Sequence, residues 1–164
     1  MTDSSRDERF VVEYAARFDF PVPPEIVWST IENLDQFERW WGWLGSLTVD
    51  GDGLRTGSVL RGVVAPPLPY RMGLWIELQR CLPNQLIDAA VHGDLEGDAH
   101  MTFAPHGDGG TRTHVSWNVE MMNRPMRIAS RFAYPLLRWG HDRVVEATVA
   151  GFREHLRSLH RPGA

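Results

Sequence analysis

Lysine is absent from this chain: all 17 basic residues among its 164 are arginine. No side-chain Schiff base can therefore form, and no Walker-type lysine is there to reach the phosphates of a nucleotide. Cysteine occurs once, at Cys81, which excludes an internal disulfide framework and a cysteine-rich zinc site. No apolar run approaches the roughly 18 residues that a membrane span needs. The opening nine residues are polar and carry no apolar core, so no secretory signal is expected and the reducing cytoplasm is the expected location. The spacings HExxH and CxxC, the EF-hand loop, GxSxG and a helix-opening GxGxxG are all missing. No cofactor and no metal is expected. A net charge of −4 makes nucleic acid a poor partner.

The rest of the composition is that of an ordinary folded domain. Hydrophobic residues make up 43% and charged residues 23%, a balance that argues against disorder. A chain of this size buries about 70% of its unfolded surface, enough for a core without staples. The expected organisation is a polar tail over 1–8, one domain over 9–160 and a short tail over 161–164. Seven Trp and six Met are many for this length. They suit either a bulky core or a pocket for a large apolar ligand.

Alternation marks the first element. Phe10, Val12, Tyr14, Ala16, Phe18 and Phe20 interleave with Val11, Glu13, Ala15, Arg17 and Asp19, the period of a strand. Pro21, Pro23 and Pro24 stop it. Proline and Glu25 then suit the first turn of a helix, whose N–H groups lack partners and whose dipole favours an acid. Ile26, Val27 and Ile31 give it an apolar stripe. Asn33 with Gln36 has the spacing of a capping box and predicts a second short helix, with Leu34, Phe37 and Trp41 on one face and Gly42 and Gly45 beyond its end.

Six more strands follow, over about 47–49, 58–65, 70–81, 86–91, 95–103 and 114–121, separated by turn signals at 50–53, 66–69, 83–84, 93–94 and 106–110. In the third of these Tyr70, Met72, Leu74, Ile76 and Leu78 face one way, with Trp75 and Glu77 on the other face. Met101 and Phe103, then Trp117, Val119 and Met121, continue the apolar face. Beyond Arg124 the period becomes helical. Pro125 and Pro135 predict a first piece near 125–133, a break or kink, and a long helix of about 25 residues, or about 37 Å. Its stripe is Leu137, His141, Val145, Thr148, Phe152, Leu156 and Leu159. A seven-stranded antiparallel sheet with one apolar face needs a cover, and the last helix is the only element long enough. The fold class is α+β, with the two short helices closing one end and a cavity left inside.

Several short motifs carry a family resemblance. Pro23-Pro24-Glu25-Ile26-Val27-Trp28 after the first strand, with Trp40-Trp41 behind it, resembles the opening of the SRPBCC/START-like superfamily. The likeness continues through Leu68-Pro69-Tyr70-Arg71, Gly93-Asp94-Leu95-Glu96-Gly97 and Gly110-Thr111-Arg112 up to Trp117. It ends in Arg138-Trp139-Gly140-His141-Asp142 and Gly151-Phe152. The order is similar to that of the bacterial polyketide cyclase/dehydrase-like branch, over about residues 10–160. Met101 and Gly140 depart from it, where relatives often carry Trp and Asn. The resemblance implies a helix-grip fold, in which the sheet wraps a long C-terminal helix around an internal hydrophobic cavity, and implies little about chemistry.

Within that frame His141 stands out, because it is the one titratable group on the buried stripe of the last helix. It is either a hydrogen-bonded core histidine or the polar contact of a pocket. The expected lining is Trp41, Met72, Leu74, Ile76, Met101, Phe103, Trp117, Val119, Met121, His141 and Val145, with Tyr70 and Tyr14 as hydroxyl donors. His100 and His114 belong to the opposite face, and His155 is about 21 Å along the helix from His141, too far to share a metal. Cys81 reads as inert. Arg124, Arg127, Arg131 and Arg138 form a solvated face or one that meets an anionic membrane or partner. The first functional reading is a carrier or binding protein for a lipid, polyketide or aromatic, isoprenoid-like molecule. The alternative is a cyclase/dehydratase-type enzyme in which His141 or Tyr70 moves a proton. A protein-interaction module is the third. A monomer or homodimer is expected.

Overall fold

The structure, a computed structural model, describes residues 11–65 and 71–160, without the side chains of residue 38 and residues 129–134. The two tails, Tyr70 and the turn over 66–69 lie outside the described residues. Strand β1 (Val11–Phe20) leads through the prolines into α1 (Pro24–Glu32), a 3₁₀ turn (Leu34–Gln36) and α2 (Phe37–Trp40). Six strands follow: β2 (Leu44–Asp50), β3 (Val59–Val64), β4 (Met72–Leu82), β5 (Leu86–Gly93), β6 (Leu95–His106) and β7 (Gly110–Met121). Helix α3 (Arg124–Leu159) completes the chain. All seven strands form one antiparallel sheet in the order β1-β7-β6-β5-β4-β3-β2. This is the helix-grip α+β architecture. Because β1 pairs with β7 rather than β2, the two short helices span the sheet from one edge to the other.

The register puts the apolar set on one face. Tyr14 pairs with Trp117, Trp117 with Ala99, and Ala99 with Ala89. Leu78 and Ile76 continue the row into β4, opposite Ala89 and Val91. Trp75 and Glu77 face outward as the alternation requires: Trp75 stacks on His92 at 5.7 Å, Arg61 lies 6.0 Å above its ring, and His92 is 3.8 Å from Glu77. Two register shifts break the alternation, one between Leu44 and Ser46 in β2 and one in β4. The β4–β5 register shifts between Leu78 and Arg80, so that Leu78 meets Ala89 and Cys81 meets Ile87. The bulge lets Arg80 join Asp88 at 3.0 Å outside while Cys81 packs against the core.

Three local expectations are corrected. Asn33 makes no capping bond with its side chain, and the segment after it is a 3₁₀ turn rather than a capped α-helix. The loop over 106–110 is tighter than its glycines suggest. His106 and Gly110 are still paired, leaving a three-residue turn with Gly107 and Gly109 at positive φ. Finally, the break allowed at Pro135 is absent: α3 is one helix of 36 residues with Pro135 inside it. Proline removes one ladder hydrogen bond, yet the helix continues through the exposed position 135.

The core is concentrated at one end. Phe20, Val27, Trp28, Leu54, Leu60, Leu78, Ala89, Phe103, Phe152 and Leu156 form one buried cluster. Phe20 meets Phe152 edge-on at 5.2 Å and Trp28 meets Phe103 at 5.6 Å. Buried Thr111 donates its hydroxyl to the Val22 carbonyl at 2.6 Å, tying the start of β7 to the entry of α1. Asp19 and Arg112, cross-strand partners, make a bidentate pair at 2.8 and 2.9 Å.

Candidate functional site

Away from that cluster the inner face is covered unevenly: Val119, Met121 and Met126 are buried, while Tyr14, Trp117 and His141 are half-covered. Tyr14 on β1, Trp117 on β7 and His141 on α3 meet there. The Tyr14 and Trp117 rings stack at 4.3 Å, and His141 stands edge-on to both, at 5.0 Å from Tyr14 and 5.4 Å from Trp117. Strand pairing fixes the first contact, since Tyr14 and Trp117 are directly opposite each other. Helical spacing fixes the second by setting His141 on the stripe that faces the sheet.

The imidazole is asymmetric. Its Nδ1–H donates to the Asp142 carboxylate at 3.2 Å, which leaves Nε2 as the acceptor of the neutral ring. That Nε2 is buried and has no hydrogen-bond partner among the described residues. The Tyr14 hydroxyl is held in its protonated form: burial raises its pKa above 10.0, and the charges of Asp142 and Glu146 add to the shift. It is a donor at every physiological pH.

The indole N–H groups of Trp40 and Trp41 and the Thr113 hydroxyl are likewise buried and unpartnered. Thr113 lies in the inner-face row between Phe18 and Phe103. The two indoles stack at 6.1 Å, and Trp40 packs edge-on against Phe152 at 5.0 Å. Isolated buried polar atoms cost about 1–3 kcal/mol each. The interior thus offers donors and an acceptor that the described residues do not use.

The residues expected to line a pocket divide between the two environments. Phe103, Val119 and Met121 are buried, Phe103 as part of the closed core. Trp41, Met72, Leu74, Ile76, Met101, Trp117, His141 and Val145 are half-buried. Tyr70 lies outside the described residues. Sequence reasoning named Tyr14 only as a spare hydroxyl. The signal that marks it is the pairing of β1 with β7, which composition and period do not reveal.

Two depressions lie outside this interior. One, of about 470 Å³, sits on the outer face of β1, β7 and β6, lined by Glu13, Ala15, Asp98, His100, Ser116 and Asn118 with the residues between them. The other, of about 330 Å³, lies among Ser29, Thr30, Asn33, Gln36, His155 and Leu159. On the outer face His100 bonds Asp88, and Asp88 also takes the Arg80 guanidinium. The bond from His100 is the main reason the Asp88 pKa falls below its ordinary value. Among the described residues no group of three or more His, Cys, Asp and Glu is arranged to hold a metal. The Cys81 thiol is pushed up by burial, with the Asp88 charge adding to it, which suppresses the thiolate a nucleophile needs.

Residues 11–159 match the model of a family described as polyketide cyclase / dehydrase and lipid transport. No curated protein matches the chain. Among solved structures, a protein from Thermus thermophilus is similar with a TM-score of 0.73 and 20% identity, covering 91% of this chain and 99% of that one. The Zhui aromatase/cyclase from Streptomyces sp. R1128 is similar with a TM-score of 0.68 and 10% identity, covering 90% and 94%. Truncated norcoclaurine synthase from Thalictrum flavum is similar with a TM-score of 0.61 and 11% identity, covering 94% and 97%. At these identities the likeness is one of fold.

Proposed function

From the premise that this chain belongs to the polyketide cyclase / dehydrase and lipid transport family, we propose that it binds a hydrophobic small molecule between the sheet and α3. The ligand carries at least one oxygen and sits with its apolar body on Leu74, Ile76, Met101, Trp117 and Val145. The observation that carries this reading is the buried, unpartnered Nε2 of His141 beside the Tyr14 and Trp117 rings. A ligand hydroxyl would donate to Nε2, and a ligand carbonyl would accept from an indole or tyrosine donor. Among the described residues no helix is long and apolar enough to cross a membrane.

Native mass spectrometry of gently purified protein tests the reading directly, because a co-purified molecule names the chemical class. Titration with the apolar fluorophore anilinonaphthalene sulfonate gives a second readout. His141→Leu keeps the stripe apolar and removes the polar contact. Loss of about 1–3 kcal/mol of binding with the fold intact supports the site, whereas unchanged binding refutes the role of His141.

One observation favours a catalytic version of the same site. Asp142 accepts from Nδ1–H and so orients the ring with Nε2 as a base, while Tyr14 is a persistent donor. That pair can take a proton from the carbon beside a ligand carbonyl and stabilise the oxygen, the step a cyclase or dehydratase requires. Tyr70 remains a further candidate hydroxyl from the sequence. If His141→Ala abolishes turnover of a poly-β-ketone thioester while leaving its binding measurable, the enzyme reading holds. Binding of the thioester by the parent protein without turnover points to a carrier.

A further inference from the structure

The first half of α3 presents a second face, turned away from the sheet. Ile128, Leu136 and Trp139 are 64%, 51% and 53% exposed, and on a helix of 3.6 residues per turn they share one side with exposed Pro135. Arg124 and Arg138, both exposed, lie fourteen residues apart, which places them along one flank of that side. The charge pattern is one-sided. Between Glu120 and Asp142 the sequence has four arginines and no acidic residue, in a chain whose net charge is −4. Helix length explains why Ile128, Leu136 and Trp139 are uncovered: 36 residues extend about 54 Å. Six inter-strand gaps span only about 29 Å, and the longest strand about 41 Å.

We propose that this face of α3 docks on an anionic lipid surface. An interfacial helix needs an apolar stripe carrying Trp, Leu or Ile and flanking cations, and the exposed half of α3 has both. Indole rings settle at the headgroup boundary, and arginine stems lie along apolar surface while their guanidinium groups reach phosphates. A second copy fits this face less well, since self-pairing would set the arginine flanks together with Asp142, one turn beyond Arg138, as the nearest carboxylate on that flank. Trp139 and His141 are two residues apart and point to opposite sides of the helix, so docking leaves the inner face free. The proposal stands apart from the ligand reading, and either can fail alone.

The test is co-sedimentation of the full chain with vesicles of phosphatidylcholine alone and of phosphatidylcholine and phosphatidylglycerol in equal parts. Binding to the second and not the first, reversed by added salt, is the expected result. Arg124→Gln and Arg138→Gln should each weaken it about fivefold. Trp139→Ser should weaken it about tenfold or more, while Arg61→Gln on the outer sheet face should leave it unchanged. Circular dichroism checks that the variants fold, and the salt dependence of the parent protein needs no variant. Absence of binding to the anionic vesicles, equal binding to both kinds, or insensitivity to Arg138→Gln and Trp139→Ser together would overturn the proposal. So would binding to polyglutamate without vesicle binding, which assigns the face to an acidic protein. A dimer abolished by Trp139→Ser without vesicle binding assigns it to a second copy and overturns it equally.

Discussion

The two ends of the sheet–helix sandwich are built from the same kinds of residue and behave as different materials. At one end Phe20, Trp28, Phe103, Phe152 and Leu156 interlock edge to face and bury one another. At the other, Tyr14, Trp117 and His141 also stack, yet each stays half-buried, and His141 keeps an unpaired nitrogen. The difference lies in what closes the gap between layers. Helices α1 and α2 fill one end with Val27, Trp28 and Phe37. The other end buries Val119, Met121 and Met126 but leaves Tyr14, Trp117 and His141 half-covered. Packing completeness, more than hydrophobicity, separates a core from a binding surface here.

The sharpest way to break this contrast is to delete volume from both ends. Leu156→Ala removes a fully buried side chain and should cost about 2–5 kcal/mol in urea unfolding. Val145→Ala, on the half-covered stretch of the same helix, should cost less than half as much. Equal losses would mean that the two ends are packed alike.

Gly151 sits where the ends are joined. A Cβ there would collide with the Trp40 carbonyl oxygen, so α2 lies against α3 backbone to backbone. Gly151→Ala should destabilise by about 1–3 kcal/mol, as overpacking does. It should also change the fluorescence of the adjacent tryptophans, since Trp40 must move. A variant as stable as the parent would show that α2 rides loosely on α3.

His141→Leu should leave stability within about 1 kcal/mol of the parent, or raise it, because it removes an unsatisfied buried atom. Urea unfolding beside a binding titration checks this: a large loss of stability would move His141 from the site to the core.

The smallest effect concerns acid. The Arg112 hydrogen bonds hold the Asp19 carboxyl down to about 2, well below its ordinary value of 3.8. A depressed folded-state value adds stability above the unfolded pKa, and that stability is lost as pH falls through 3.8 toward 2. Asp19→Asn should therefore flatten the stability curve in that window and change little at neutral pH. The pair is exposed, so solvent screening keeps the change small.

Strands were the most legible part of this chain. The alternation in Tyr14–Phe20, Met72–Leu78 and Val115–Met121 reports a sheet with one wet face, and the observed register follows it. Breaks in regularity were less legible. Pro135 reads as a break or kink in a helix, and Asn33 with Gln36 reads as a cap. Both signals are local preferences worth a few kcal/mol or less, and tertiary contacts override them. The candidate site was half legible. Helical spacing alone placed His141 inward. Its partners Tyr14 and Trp117 depend on the edge strand returning to pair with the last strand, a contact between residues about a hundred positions apart. The division into a sealed and a half-covered end likewise depends on where α1 and α2 come to rest.

The bulge in β4 has a practical consequence. By slipping one residue, the strand turns the chain's single thiol from the solvent side to the interior, where Cys81 touches the cluster that seals the molecule. The protein therefore contains its own untagged probe. The rate at which a thiol reagent labels Cys81 follows how often β4 loosens from its neighbours. Substitutions at the sealed end should accelerate that labelling, ligands entering at the opposite end should slow it only if the two ends communicate, and the ratio of the two rates would put a value on that communication.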